Sequence, residues 1–374
     1  MYFLNKDVFL KGYARMRNRV TRLIAIITAV VGMMVFTGCS ALSYYQQSIS
    51  GQLDLIQKRR PIVDVMADDQ TRPQIRKRLA MVQKAVAFAA KELDLQSQGS
   101  YSSYVDLGRP FVVWSVFITP RFSLTPKQWC YPVVGCIGYR SYFSEATARI
   151  FADKMQSQGF DVYVAGTPAY STLGWFNDPI VSSMMHWQDY DLIGTLFHEL
   201  AHQKIYVKND TVFNESFAKT VEQEALRRWM KARATPARWQ AYLQDRKREA
   251  AFIQLIQQTG ARLKKVYSSD LTEQNMLIQK LRLLRELRRA YFNLKKLWGG
   301  YDGYDRWMLS GVNNAKIQSI ATYHDYVPGF QHLLARQGND LVHFYQAVKK
   351  LTALTTEQRK QFLLNQRASS SAHN

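Results

Sequence analysis

Two histidines and two glutamates have the spacing of a metal site in this sequence. His198 and His202 flank Glu199 in the segment His-Glu-Leu-Ala-His. Each residue turns a helix by about 100°, so histidines four residues apart return to one face and can bind a single zinc ion. Glu199 would lie beside the metal, where it could accept a proton from a water molecule that zinc activates. A catalytic zinc usually has three protein ligands, and we predict that Glu215 is the third.

The alternative interpretation is a polar stripe on a helix without a metal. Residues 191–197, directly before His198, are mostly apolar and predict a buried helix. Buried imidazoles and carboxylates need partners, because an unpaired polar group is costly to remove from water. A metal ion supplies such a partner, so we favour one zinc ion per chain.

The hydrophobic periodicity predicts an α+β fold that is predominantly helical. A small mixed sheet is expected before the helix that contains His198 and His202. Further helices are expected from residue 212 almost to the end. Ser144 should cap one helix that stops near Gly159. The predicted helices cover residues 40–60, 72–95, 145–157 and 179–185, and the predicted strands cover 111–119, part of 129–143, 160–165 and 170–176.

Composition predicts five regions along the chain. They are a signal peptide (1–38), an N-terminal helical region (39–105), a catalytic core (106–235), a basic C-terminal helical region that completes the site (236–366) and a disordered tail (367–374).

The N-terminus resembles an export signal with a lipid-attachment site. Three arginines precede an apolar run of 14 residues, 23–36, which is shorter than an ordinary membrane span. The small residues before Cys39 are similar to a bacterial lipobox, in which the cysteine is lipidated, and Ser40 then favours the outer membrane. An uncleaved membrane anchor is the alternative. Translation from Met16 would give a more ordinary signal length.

Two cysteines remain after the signal. Export implies an oxidising compartment, so Cys130 and Cys136 could form a disulfide. Two buried free thiols are an equal alternative. No further cysteine is available in the sequence to complete a zinc–thiolate site with them.

The net charge of +21 is concentrated in one segment. Residues 227–300 contain 18 Lys or Arg against five Asp or Glu. An exported protein does not meet chromosomal DNA, so nucleic acid is a poor partner. Anionic lipid headgroups, lipopolysaccharide or acidic peptides are better candidates. A solvated basic face of a helical hairpin is the more common explanation of such a segment.

The metal motif resembles that of the gluzincin aminopeptidases. Residues 198–203 read His-Glu-Leu-Ala-His-Gln, and residues 214–218 read Asn-Glu-Ser-Phe-Ala, where Ser216 replaces a glycine of that pattern. Twelve residues separate His202 from Glu215, which is fewer than in those enzymes. The chain is also similar, over about residues 40–350, to a bacterial family of predicted aminopeptidases that are exported lipoproteins. Segments 135–140, 169–176, 313–315 and 321–324 carry this similarity.

This resemblance implies a zincin-like catalytic core that hydrolyses peptides. It implies that segment 169–174 is an edge strand that pairs with the substrate main chain. It also implies that Glu222 accepts the free N–H of a ligand histidine and so fixes its tautomer. An ordinary loop is the alternative for 169–174, and an exposed surface acid is the alternative for Glu222.

One departure from the gluzincin pattern concerns the free amine of the substrate. Those enzymes hold the amine with a glutamate in a Gly-x-Met-Glu-Asn motif, which this sequence lacks. Burying an ammonium without an acidic partner is costly, so Asp178 or Glu145 would have to take this role. The rival functions are a periplasmic quality-control endopeptidase and a non-enzymatic lipoprotein whose zinc only stabilises the fold.

Hydrolysis also requires a hydrogen-bond donor to the developing oxyanion. The candidates are Tyr323, His324, Tyr301 and Tyr304. The sequence does not select among them.

We predict that the mature protein begins at a lipidated Cys39. Mass spectrometry of its N-terminus, after expression in a Gram-negative host, should show an acylated cysteine. A Cys39→Ala variant is the control and should carry no lipid. An unmodified Cys39 within an intact N-terminus would instead establish the membrane-anchor alternative.

Overall fold

The structure is a computed structural model that describes residues 43–131, 135–167, 169 and 177–371. By its contacts the chain divides into two units, residues 1–56 and 57–374. The described part of the first unit is helical. The predicted signal with Cys39 and the predicted strand at 170–176 lie outside the described residues, and of the predicted edge segment only Ala169 is described.

The described strands are short and form three small sheets. Their bounds are β1 Arg60–Pro61, β2 Ser103–Val105, β3 Val113–Thr119, β4 Trp129–Tyr131, β5 Gly135–Ile137, β6 Tyr139–Tyr142, β7 Asp161–Thr167 and β8 Ile180–Val181. In the first sheet β2 pairs antiparallel with β1 and parallel with β8. In the second, the central sheet, β3 lies between β6 and β7, and in the third β4 pairs with β5.

Helices form most of the described chain. They are α1 (residues 43–57), α2 Ile62–Ala67, α3 Pro73–Glu92, α4 Glu145–Ser157, α5 Asp189–Lys204, α6 Thr211–Arg233, α7 Pro236–Tyr267, α8 Glu273–Leu297, α9 Asp305–Leu309, α10 Asn314–His324, α11 Val327–Arg336, α12 Leu341–Leu351 and α13 Thr356–Ser371, with a 3₁₀ turn at Ser182–His186. The predicted α+β class with a predominance of helix is confirmed. No described helix is both long and apolar enough to cross a membrane.

Local signals predicted several elements closely. The predicted helix 145–157 coincides with α4, where the Ser144 side chain accepts a hydrogen bond from the Thr147 N–H at 3.3 Å. The predicted strands 111–119 and 160–165 correspond to β3 and β7, which pair with each other in the central sheet.

Two predictions of secondary structure were wrong in part. The predicted helix 179–185 is β8 followed by the 3₁₀ turn, because Ile180 pairs with the distant Tyr104 of β2. The predicted tail from 367 is helical as far as Ser371, since no glycine or proline ends α13.

Cys130 and Cys136 oppose each other across the β4–β5 pair. Their sulfur atoms form a disulfide in the structure. Opposed positions of an antiparallel pair bring side chains close, which suits this short covalent link.

An aromatic core holds α6 against the C-terminal helices. Phe213 and Phe217 of α6 both contact the ring of Phe330 of α11, and Phe217 stacks on Phe344 of α12. All four rings are fully buried. This packing fixes the first turns of α6, from which Glu215 projects.

Asn314 anchors the start of α10 to the central sheet. Its amide nitrogen donates to the carbonyl oxygens of Arg121 and Ser123, and its amide oxygen accepts the Tyr267 hydroxyl at 2.8 Å. Its backbone N–H donates to Asp161 at the start of β7. These bonds tie the sheet to α10, the helix that carries Tyr323 and His324.

Candidate metal centre

Helices α5 and α6 bring three potential metal ligands together. The Nε2 atoms of His198 and His202 lie 3.2 Å apart. Glu215 Oε2 lies 3.2 Å from the first of these nitrogens and 3.5 Å from the second. All three residues are buried, and they form the one group of potential metal ligands found among the described residues. The predicted triad is therefore a single cluster.

The spacing of these atoms fits a tetrahedral zinc ion. Zinc binds imidazole nitrogen and carboxylate oxygen at about 2.0–2.2 Å, so two ligand atoms of a tetrahedral site lie about 3.3–3.5 Å apart. The three observed separations fall at or close to that range. Three lone pairs that point at one another in a buried space would repel without a cation between them. The described residues offer two imidazoles and one carboxylate here, which would leave a fourth position open on a bound zinc ion, as in catalytic zinc sites.

Asn214 explains how a short connection can present Glu215 correctly. Its amide oxygen accepts the Val207 N–H at 2.8 Å, and its amide nitrogen donates to the Val207 carbonyl at 2.7 Å. Asp210 caps α6 by accepting the Phe213 N–H, and its other oxygen bonds the guanidinium of Arg359. These bonds fix the segment between His202 and Glu215.

Ser216 occupies the position where the gluzincin pattern has glycine. It is fully buried, and its hydroxyl accepts the backbone N–H of Tyr326 at 3.2 Å. The serine thus binds the connection between α10 and α11 to α6, directly beside the candidate ligand Glu215.

Glu222 contacts His198 at Nδ1, on the side of the ring opposite the other candidate ligands. Its Oε2 lies 3.2 Å from His198 Nδ1, and its Oε1 accepts from Lys219 Nζ at 2.7 Å. Lys219 also pairs with Glu249 of α7 at 3.4 Å. Gly194, one turn before His198, lies close to the same carboxylate: a Cβ there would be 3.4 Å from Glu222 Oε1. With Nδ1–H donated to Glu222, the Nε2 lone pair of His198 faces the cluster.

The charges of the cluster shift the ionisation of its members. Burial acts to lower the pKa of His198, but hydrogen bonds with Glu215 and Glu222 outweigh it and raise that pKa to about 10. Burial acts to raise the pKa of Glu215, yet the two histidines lower it to about 2. The site therefore favours a carboxylate at Glu215 and a cation within the cluster, whether a proton or a metal ion.

Glu199 lies beside the triad without being part of it. Burial raises its pKa, the charges of Glu215 and Asp178 add to that effect, and His198 and His202 oppose it. A carboxylate with a raised pKa is a better proton acceptor near neutral pH. Its position suits the predicted role of base.

Of the four candidate oxyanion donors, the structure brings Tyr323 to the triad. Its ring centroid lies 6.2 Å from that of His198. The charge of Glu215 and then burial raise its pKa well above 10, so the phenol keeps its proton. His324 follows it, and burial with the charge of Lys219 lowers the pKa of that imidazole to about 4.

Tyr301 and Tyr304 belong to a different cluster. Tyr304 stacks on Phe252 of α7 with ring centroids 4.2 Å apart, and Tyr301 lies under the guanidinium of Arg248. Both rings therefore pack against residues of α7, and we assign neither tyrosine to the triad.

The two candidate acids for binding an amine differ in their surroundings. Asp178 is buried, and its charge acts on Glu199, on Tyr101 and on Arg59. Glu145 is half-exposed at the start of α4, where it pairs with Arg149 at 2.6 Å. Of these two acids, Asp178 is the one whose charge contributes to the raised pKa of Glu199, the predicted base.

Sequence reasoning missed Tyr101, Lys219 and the structural role of Asn214. The spacing of three residues between Lys219 and Glu222 on one helix is a signal that could have indicated their ion pair. No local pattern indicated Tyr101, which precedes β2 and is nearly 100 residues from the metal motif in sequence.

Comparison with known proteins identifies the family. A family model described as "Putative aminopeptidase" matches residues 43–363. The chain belongs to this family. No curated protein and no solved structure matches the chain.

We predict that removing the Glu215 carboxylate releases the metal. Purified protein should contain one zinc ion per chain by elemental analysis, and Glu215→Ala should lower the occupancy strongly because one of three ligands is lost. Glu224→Ala is a matched control, since Glu224 is similarly buried on α6 but pairs with Arg227 and Arg228. Full zinc occupancy in Glu215→Ala would contradict the ligand assignment.

Proposed function

We propose that this protein is an exported zinc metallopeptidase with a zincin-like core that acts as an aminopeptidase. The observation that carries the proposal is the convergence of His198, His202 and Glu215, with Glu199 beside them and no fourth protein ligand among the described residues. Family membership supports peptidase activity.

A zinc ion held by the triad would supply a Lewis acid that activates water and stabilises negative charge on the substrate carbonyl oxygen. The protein supplies the proton transfers. Glu199 accepts a proton from the attacking water and then donates it to the nitrogen of the departing amine, so that the carboxylate is regenerated.

Other side chains position these groups. Glu222 holds the N–H of His198 and keeps the Nε2 lone pair directed at the cluster. Tyr323 remains protonated beside Glu215 and can donate a hydrogen bond to the substrate carbonyl oxygen as it becomes negative. Lys219 neutralises the second oxygen of Glu222, which makes the buried carboxylate less costly.

We also infer a location in the bacterial cell envelope, with attachment through lipid on Cys39 and the mature chain facing the periplasm. The lipobox-like sequence supports this inference. The basic segment 227–300 supports a contact with anionic surfaces, since Arg285, Arg288, Arg289 and Lys296 of α8 are exposed.

We predict that Glu199→Gln keeps the metal and the fold but lowers kcat by at least about a hundredfold. The amide cannot accept the proton, and a positioned general base contributes about 10²–10⁴-fold. Glu224→Gln should retain wild-type kcat and serves as the control. Near-normal turnover by a folded, zinc-loaded Glu199→Gln protein would exclude this role.

We predict that an N-terminal acetyl group abolishes cleavage. In an aminopeptidase the free ammonium must meet a carboxylate, and Asp178 is the acid coupled to Glu199. Matched free and acetylated peptides should be compared, with Asp178→Asn expected to raise KM for free peptides. Equal cleavage of both peptides would exclude the aminopeptidase and support the endopeptidase alternative.

A further inference from the structure

Tyr101 has a buried polar group that the proposed reaction does not use. Its side chain is 5 % exposed. Its hydroxyl oxygen is shielded from solvent and has no hydrogen-bond partner within the described part of the chain. Native structures rarely leave a buried hydroxyl unpaired, because removing it from water without a partner is costly.

The backbone around Tyr101 is strained. Tyr101 has a φ of 62°, and the nearby Gln98 has a φ of 47°. Positive φ is rare for bulky residues, and such strain concentrates at functional sites, where the surrounding structure maintains it. The segment is therefore held in a costly conformation that presents this side chain.

Hydrogen bonds hold this segment against α5, the helix that carries His198 and His202. The Tyr101 N–H donates to the Asp178 carbonyl at 2.7 Å. The Ser100 hydroxyl oxygen accepts from the Asp178 N–H at 3.2 Å and from Gln203 Nε2 at 3.1 Å. Gln203 lies one turn after Glu199 on α5, so Tyr101 flanks the turn of the helix that carries the proposed base.

The surroundings define the chemistry of the missing partner. Glu199 and Asp178 are close enough for their charges to act on the phenol, and together with burial they keep it protonated. An anionic ligand group is disfavoured beside two carboxylates. Gln203 Oε1 is a second buried atom that lacks a hydrogen-bond partner among the described residues, and it is an acceptor. One donor and one acceptor complement the C=O and N–H of a peptide main chain.

We propose that Tyr101 and Gln203 form a subsite for the main chain of the bound peptide. The Tyr101 hydroxyl donates to a peptide carbonyl oxygen, and Gln203 Oε1 accepts a peptide N–H. The subsite lies on the Glu199 side of the triad, whereas Tyr323 lies near Glu215. This inference rests on the proposed peptidase function and deepens it, since main-chain contacts bind substrate independently of its side chains.

The test compares Tyr101→Phe with wild type in the full-length, zinc-loaded protein. Several peptides that differ only in their side chains serve as substrates. For each of them the kcat/KM of Tyr101→Phe should fall by a similar factor, on the order of tenfold, because this hydrogen bond is removed. The melting temperature should stay the same or rise, because the lost hydroxyl has no hydrogen-bond partner among the described residues. Gln203→Met should also lower kcat/KM for every peptide.

Tyr345→Phe is the matched control. Tyr345 is 4 % exposed, and its hydroxyl donates to the Leu93 carbonyl at 3.1 Å. This variant should melt at a lower temperature and keep its kcat/KM, which is the opposite of the result for Tyr101→Phe.

Three outcomes would overturn the inference. Unchanged kcat/KM in Tyr101→Phe would refute the subsite and leave the peptidase proposal intact. A fall in melting temperature equal to that of Tyr345→Phe would show that the hydroxyl is a structural group. Absence of peptide cleavage by wild-type protein would refute the proposed function and this inference with it.

Discussion

The site depends on the close approach of three electron-pair donors in a space shielded from water. Two imidazole nitrogens and one carboxylate oxygen lie 3.2–3.5 Å apart. Such an arrangement is stable only with a cation among the three atoms, because lone pairs in a medium of low dielectric constant repel strongly. The helices around the cluster can therefore be understood as a frame that holds the three atoms together for a cation, either a proton or a metal ion.

Ion pairs behind His198 hold this frame together. Glu222 ties His198 to Lys219, Lys219 reaches Glu249, and Glu249 pairs with Arg246. These contacts join α5, α6 and α7, so the orientation of His198, a candidate ligand, depends on three helices. Removing one member of such a buried series leaves its neighbour uncompensated, which costs more than the pair contributes when intact.

The sequence was sufficient where the signal is local. The spacing within His198–His202 indicated the ligand face of α5, and Ser144 indicated the start of α4. The rest depends on contacts between distant segments. Ile180 pairs with Tyr104, so part of the predicted helix is a strand. Tyr101 lies beside α5 because the neighbouring Ser100 is hydrogen-bonded to Gln203 of that helix. Neither event leaves a periodic pattern that a reading of neighbouring residues could detect.

The most direct test of this account is thermal unfolding of the chelator-treated protein as zinc is added back. A ligand that binds only the folded state stabilises it by about 2.7 kcal/mol at a hundredfold excess over Kd. We expect the melting temperature to rise by several degrees and to reach a plateau at one zinc ion per chain. A melting temperature that does not respond to zinc, with no metal retained after dialysis, would contradict the claim that the cluster of His198, His202 and Glu215 is a metal centre.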